Sequence, residues 1–217
     1  MLPQMVRYAK QKGLLDVYFN TNATLLTPNR IERLIDAGLD RISISFEGTT
    51  KETYEAHRVG ATYETVLQNV RTLRAIRDKL GVTRPQIRVQ AVATPVVQAD
   101  FAPYVAFWRE IADEVAYIDA REEGPAFDHR GKVSEWACPF LWQRLTILWD
   151  GTILPCCMHG VSDFSLLSLG SVNSVSLFDA WTSLNATRYR LLHQAGRAHE
   201  LDACDQCSFR ATELRKT

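Results

Sequence analysis

Along the first 120 residues, short runs of alternating apolar and polar residues take turns with longer segments whose apolar residues recur every three to four positions. The first spacing suits strands, and the second suits helices that bury one face. DVYFN (16–20) reads as a strand entering a loop at Thr21 to Thr24. A helix follows, with Thr27 as cap, Pro28 at the first helical position, Ile31, Leu34 and Ile35 on its apolar stripe, and Gly38 at its stop. RISISF (41–46) sets Ile42, Ile44 and Phe46 against Arg41, Ser43 and Ser45, which predicts a half-buried strand. A polar, irregular connection is expected from Gly48 to Ala61. Thr62 then caps a long helix carrying Val66, Leu67, Val70, Leu73 and Ile76 and ending at Gly81. QIRVQAVA (86–93) is a third strand, Asp100 opens a helix with Val105, Trp108 and Ile111 on one face, and EVAYID is a fourth strand ending near Asp119. Strands and helices in this order predict an α/β fold with parallel strands and crossover helices.

The pattern changes near residue 120. REEGPAFDHRGKVSE (121–135) is polar and carries Gly124, Pro125 and Gly131, which predicts a boundary between two unlike halves. The expected division is a first domain at 1–120, a linker at 121–137 and a second domain at 138–217. In the second domain RLTILW, Asp150-Gly151 and TILPCC predict a β-hairpin closed by a two-residue turn. Helical runs follow around Leu177, Phe178, Trp181 and Leu184, then onward to Gln194 with a stop at Gly196, and the tail carries CDQC.

Composition narrows the class. With 46% hydrophobic residues in 217, the chain can bury a sizeable core, which excludes a wholly disordered reading. Lys plus Arg and Asp plus Glu balance at 25 each, so no global field draws in nucleic acid or an anionic membrane. No run approaches the roughly 18 to 20 apolar residues of a membrane span, and MLPQMVRYAKQKG lacks the apolar stretch of a secretory signal. A cytoplasmic location is expected.

All five cysteines, Cys138, Cys156, Cys157, Cys204 and Cys207, fall in the last 80 residues. The hairpin brings Cys156, at the end of its return strand, near Cys138, which precedes the outgoing strand. The CxxC of Cys204 and Cys207 lets two sulfurs point at one metal or cluster from a tight turn. Disulfides need an oxidising compartment that nothing here suggests. Zinc and an iron–sulfur cluster both fit four thiolates, and spacing alone does not choose between them. His57, His129, His159, His193 and His199 are scattered. His159 is the one candidate substitute ligand, with a surface loop as its ordinary role. Glu122 and Glu123 follow the fourth strand and read as a solvated charge pair.

The run CPFLWQRLTILWDGTILPCC, then LGSVNSVSLFDAW, then CDQC resembles the SPASM or twitch auxiliary-cluster domain of radical S-adenosylmethionine (SAM) enzymes. Cys138, Gly151, Cys156, Cys204 and Cys207 occupy its Cys, Gly-x4-Cys and CxxC positions. The resemblance implies a small α+β domain, a β-hairpin plus helices, holding one [4Fe-4S] cluster on Cys138, Cys156, Cys204 and Cys207 for electron transfer. It leaves Cys157 as a small buried residue or a free thiol. The first half is similar to the C-terminal part of a partial (β/α)6 radical SAM barrel: FNTNATLLT resembles its TNG segment with Ala23 for Gly, and SISFEG resembles its SIDG segment with Glu47 for Asp. HRVGATYETVLQNV supplies Arg58, Gly60 and Tyr63 at family positions. By this resemblance Ser45 and Glu47 face the SAM ribose, Arg58 faces its carboxylate, and Asn22 lies nearby.

The family's CxxxCxxC loop has no counterpart, since no cysteine precedes Cys138, and its Gly-Gly-Glu segment is missing too. The expectation is therefore a fragment, from a truncated gene or a misassigned start, without the first two β/α units and inactive in SAM cleavage alone. In the intact form the resemblance implies radical oxidation or modification of a carbohydrate or peptide, with flavodoxin or ferredoxin as reductant. The catalytic residues stay unassigned. The rival reading is a noncatalytic four-cysteine interaction module built on zinc or a structural cluster.

Overall fold

The computed structural model describes residues 1–99, 101–119 and 131–215. Asp100, Glu122, Glu123, Gly124, Pro125 and His129, with most of the expected linker, lie outside them. The chain divides into two compact units, Met1–Glu122 and Glu123–Thr217.

In the first unit α1 (Leu2–Gln11) leads to β1 (Tyr18–Thr21), α2 (Pro28–Asp36) and β2 (Arg41–Ser45). Then come α3 (Lys51–His57), α4 (Tyr63–Lys79), β3 (Gln86–Ala93), α5 (Pro95–Ala99), α6 (Phe101–Arg109) and β4 (Glu114–Asp119). The four strands lie in chain order and pair in parallel throughout. Ile42, Ile44, Ile87, Val89 and Ala91 join one core with helix residues Ile31, Val66, Val70 and Trp108. On the opposite face the register aligns Asn20, Ser43, Arg88 and Glu114 in a polar row.

Several local expectations need correction. β2 is not half-buried, because Ser43 is only 5% exposed; an inner parallel strand is covered on both faces. The connection expected to be irregular contains α3, which Thr50 caps by accepting the Thr53 amide at 3.2 Å. A single aromatic anchors it: Tyr54 is fully buried and stacks on Phe46 at 4.1 Å. One anchor has no periodicity to read. Thr27 and Thr62 occupy cap positions without side-chain cap bonds. At α4 the Glu55 carboxylate accepts the Tyr63 amide instead, at 3.0 Å. The helix expected to start at Asp100 is preceded by the short α5.

In the second unit α7 (Phe140–Gln143) precedes the antiparallel pair β5 (Thr146–Ile147) and β6 (Ile153–Leu154). The turn between them holds three residues rather than two, Trp149 to Gly151. The Gly151 amide bonds Leu148 O at 3.0 Å and Gly151 sits at φ 90°, the left-handed position that closes a three-residue hairpin. A 3-10 turn (Phe164–Leu167), α8 (Leu177–Thr182), α9 (Leu184–Gln194), α10 (Asp202–Asp205) and α11 (Ser208–Leu214) follow. Leu141, Ile153, Leu154, Met158, Leu167, Ala186 and Tyr189 form a core of their own. Among the described residues, no helix is long and apolar enough to cross a membrane.

Asp40 ties the first strands and helix together. Its carboxylate accepts from Lys10 Nζ at 2.7 Å, from the Val17 amide at 2.8 Å and from the Arg84 guanidinium. Burial alone would raise its pKa, yet the bonds from Lys10, Val17 and Arg84 outweigh burial and hold it below 3.8. A carboxyl depressed in the folded state adds stability that is complete above about 3.8 and is lost as the pH falls through the folded pKa. Asp40→Ala is expected to cost about 3 kcal/mol in urea unfolding at neutral pH, and to flatten the acid slope of stability below pH 4.

Candidate metal centre

Four of the five cysteines line one cavity in the second unit. Cys138 precedes α7, Cys156 follows β6, Cys204 lies in α10, and Cys207 is the N-cap residue of α11. The sequence places two of them through one tight turn, since the Cys207 amide bonds Cys204 O at 3.3 Å. Phe140, Leu141, Met158, Leu167 and Phe209 supply apolar walls. No disulfide joins any of the cysteines.

Backbone amides reach three of these sulfurs. Phe140 serves Cys138, Met158 serves Cys156 at 3.4 Å, and Phe209 and Arg210 serve Cys207. Met158 adopts φ 42°, a left-handed conformation that non-glycine residues rarely take, and its amide faces the sulfur two residues back. Burial, with the neighbouring sulfurs adding to it, pushes the Cys138 thiol up to about 11 and Cys156 up to about 12. Cys204 and Cys207 are raised for the same leading reason. At neutral pH such thiols keep their protons until a metal displaces them.

Zinc and an iron–sulfur cluster ask different arrangements of four sulfurs. Zinc draws sulfurs to about 2.3 Å from one point. Thiols arranged around a cavity instead suit a polynuclear centre, whose separate corners each take a ligand. The cavity also carries a cation, because the Arg210 guanidinium is 2% exposed and lies 3.6 Å from Asp205 Oδ1. Such a charge offsets part of the anionic excess that four thiolates bring to an iron–sulfur core. The residues fit the cluster.

Two wall residues went unassigned in the sequence. His193 and Arg210 line the cavity, from α9 and α11, and neither carries a spacing signal that marks it. His159, expected on a surface loop, lines the cavity too, between Phe140 at 6.1 Å and Phe209 at 5.6 Å. Cys157 is half-buried and does not line it.

The four SAM candidates gather at the C-terminal ends of β1 and β2, where open α/β sheets bind ligands. Asn22 is engaged locally, its Oδ1 accepting from the Thr24 amide at 3.2 Å and the Thr24 hydroxyl at 2.9 Å. Ala23, at the family's glycine position, takes φ 56°, the conformation glycine would supply. Ser45 ends β2 half-buried. Glu47 and Arg58 are each other's partners, through bonds of 2.5 and 2.6 Å in the two-point geometry of a guanidinium on a carboxylate.

One unit is a parallel β/α sheet and the other holds a cysteine-lined cavity, and comparison with known proteins makes the class specific. Residues 2–85 match the radical SAM superfamily, and residues 138–208 match the SPASM iron–sulfur cluster-binding domain. The chain belongs to the radical SAM superfamily and carries a SPASM domain. It is 22% identical, over 264 aligned positions covering 98% of this chain and 71% of the relative, to the tungsten-containing aldehyde ferredoxin oxidoreductase cofactor-modifying protein of Pyrococcus furiosus. It is 38% identical over 72 residues to the AdoMet-dependent heme synthase of Methanosarcina barkeri, covering 33% of this chain and 20% of that one. The fold is similar to BtrN, crystallised with AdoMet and 2-DOIA, at TM-score 0.51 and 18% identity, over 95% of this chain and 65% of BtrN. The chain thus spans only part of each of these relatives.

The Glu47 and Arg58 pair gives an asymmetric expectation. The Glu47 side chain is 5% exposed and that of Arg58 is 32% exposed. Arg58→Ala strands a buried carboxylate and is expected to cost about 3 kcal/mol. Glu47→Gln leaves a guanidinium able to turn to water and is expected to cost nearer 1 kcal/mol. Urea unfolding of the two variants side by side checks the order.

Proposed function

We propose that Cys138, Cys156, Cys204 and Cys207 hold one [4Fe-4S] cluster, and that this chain is the C-terminal part of a cytoplasmic radical SAM protein that oxidises or modifies a carbohydrate or peptide. The observation that carries the reading is the meeting of these four sulfurs, from both ends of the second unit, around a single cavity. With every iron held by a protein thiolate, the cluster offers electron transfer rather than an open Lewis-acid site.

The chain's own residues have definable tasks in such a protein. The amides of Phe140, Met158, Phe209 and Arg210 hold negative charge on sulfur. The apolar walls limit water and so raise the strength of each of those bonds. In the first unit, Glu47 fixes the guanidinium of Arg58 at the sheet edge. Arg58 has donors left over for the carboxylate of SAM, Ser45 and Glu47 face the ribose side, and Asn22 lies nearby in the loop. A flavodoxin-like or ferredoxin-like protein is the matching electron partner.

Anaerobic reconstitution tests the metal assignment. The expected product is a brown protein with about four irons per chain. Cys204→Ala is expected to abolish cluster loading, and Cys157→Ala to leave iron content unchanged. Colourless protein holding one tightly bound zinc would overturn the assignment, as would full iron content in Cys204→Ala.

A further inference from the structure

Cys204 differs from the other three cavity cysteines in the source of its hydrogen bond. Their sulfurs receive backbone amides, which a change of side chain other than to proline leaves in place. Among the described residues, the donor recorded for Cys204 Sγ is a side chain, His193 Nε2, at 3.3 Å. The other ring nitrogen fixes which atom carries the proton. His193 Nδ1 accepts the backbone amide of Cys138 at 3.2 Å, so Nδ1 is bare and the ring proton sits on Nε2, facing the sulfur. The imidazole is 1% exposed and is clamped between the backbone of one candidate ligand and the sulfur of another.

The helix that carries it is also fixed. His193 lies in the last turn of α9 and shares its buried face with Ala186 and Tyr189. One turn earlier, Arg190 Nε donates to Leu141 O and its Nη1 to Trp181 O, both at 2.9 Å, tying α9 to α7 and α8. The ring cannot swing away without breaking the amide bond from Cys138.

We propose that His193 is a positioning residue whose Nε2–H donates to Cys204 and raises the reduction potential of the cluster held by the four cysteines. The proposal rests on the cluster reading above. A donor aimed at a ligand sulfur stabilises the state with more charge on that sulfur, which is the reduced state, and potentials of such clusters follow these bonds. The electron itself comes from an external one-electron reductant of the flavodoxin or ferredoxin class, and no proton moves.

The test uses the full chain, reconstituted anaerobically, with potentials read by redox titration monitored by electron paramagnetic resonance. His193→Phe keeps a ring and removes the donor. At the poise where half of the wild-type cluster is reduced, the reduced-to-oxidised ratio in His193→Phe is expected to fall about tenfold, the scale of part of one charge-assisted bond. His193→Gln, whose amide nitrogen reaches the position of Nε2, is expected to recover most of that loss. A loaded His193→Phe cluster with wild-type potential would overturn the proposal while leaving the cluster in place. Failure of the wild type to take up iron would instead sink the cluster reading.

A second measurement does not depend on His193→Phe taking up the cluster. Reduced wild-type protein carrying 15N-histidine is expected to give a weak 15N hyperfine coupling, retained in His159→Gln. Its absence from the reduced wild-type cluster would refute the hydrogen bond directly.

Discussion

Burial of four thiols in one apolar cavity is the constraint on which the second unit depends. An empty sulfur cage gains little, because each thiol loses water and is pushed toward its neutral form. The surrounding chain supplies what water gave up. Amides from three short elements point at sulfur, an imidazole serves the fourth, and a buried guanidinium stands in the same wall. Metal binding and completion of this lobe are thereby linked, since the proposed ligands release their protons only to a metal.

The first unit follows a different logic. Its parallel sheet buries one face under helices and keeps a cross-strand polar row on the other, so the sheet is a scaffold with a chemically distinct working side. Among the described residues, its outer strand β1 has a single partner, β2. The Glu47 and Arg58 pair stands just beyond the strand ends and sets a charged group at an edge where β/α folds place their ligands.

Much of this was legible because strong periodicity and fixed spacing are local properties. The strands RISIS and QIRVQAVA, the long α4 and the gathering of Cys138, Cys156, Cys204 and Cys207 follow from patterns that tertiary context did not override. What escaped was set by contacts across the chain. Ser43 is 5% exposed between two neighbouring strands, although its own segment alternates. Tyr54 anchors α3 by its stack on Phe46, and Glu55 accepts the amide of Tyr63, eight residues on, in place of Thr62. His193 faces Cys204 across 11 residues and Cys138 across 55, distances at which a lone histidine carries no signature.

The left-handed backbone at Met158 bears on how the lobe meets its metal. For a residue with a side chain this torsion costs roughly 1 to 2 kcal/mol, and the chain spends it in the loop that follows Cys156. The amide facing the Cys156 sulfur is thereby aimed by the backbone of the loop itself rather than by any neighbouring side chain.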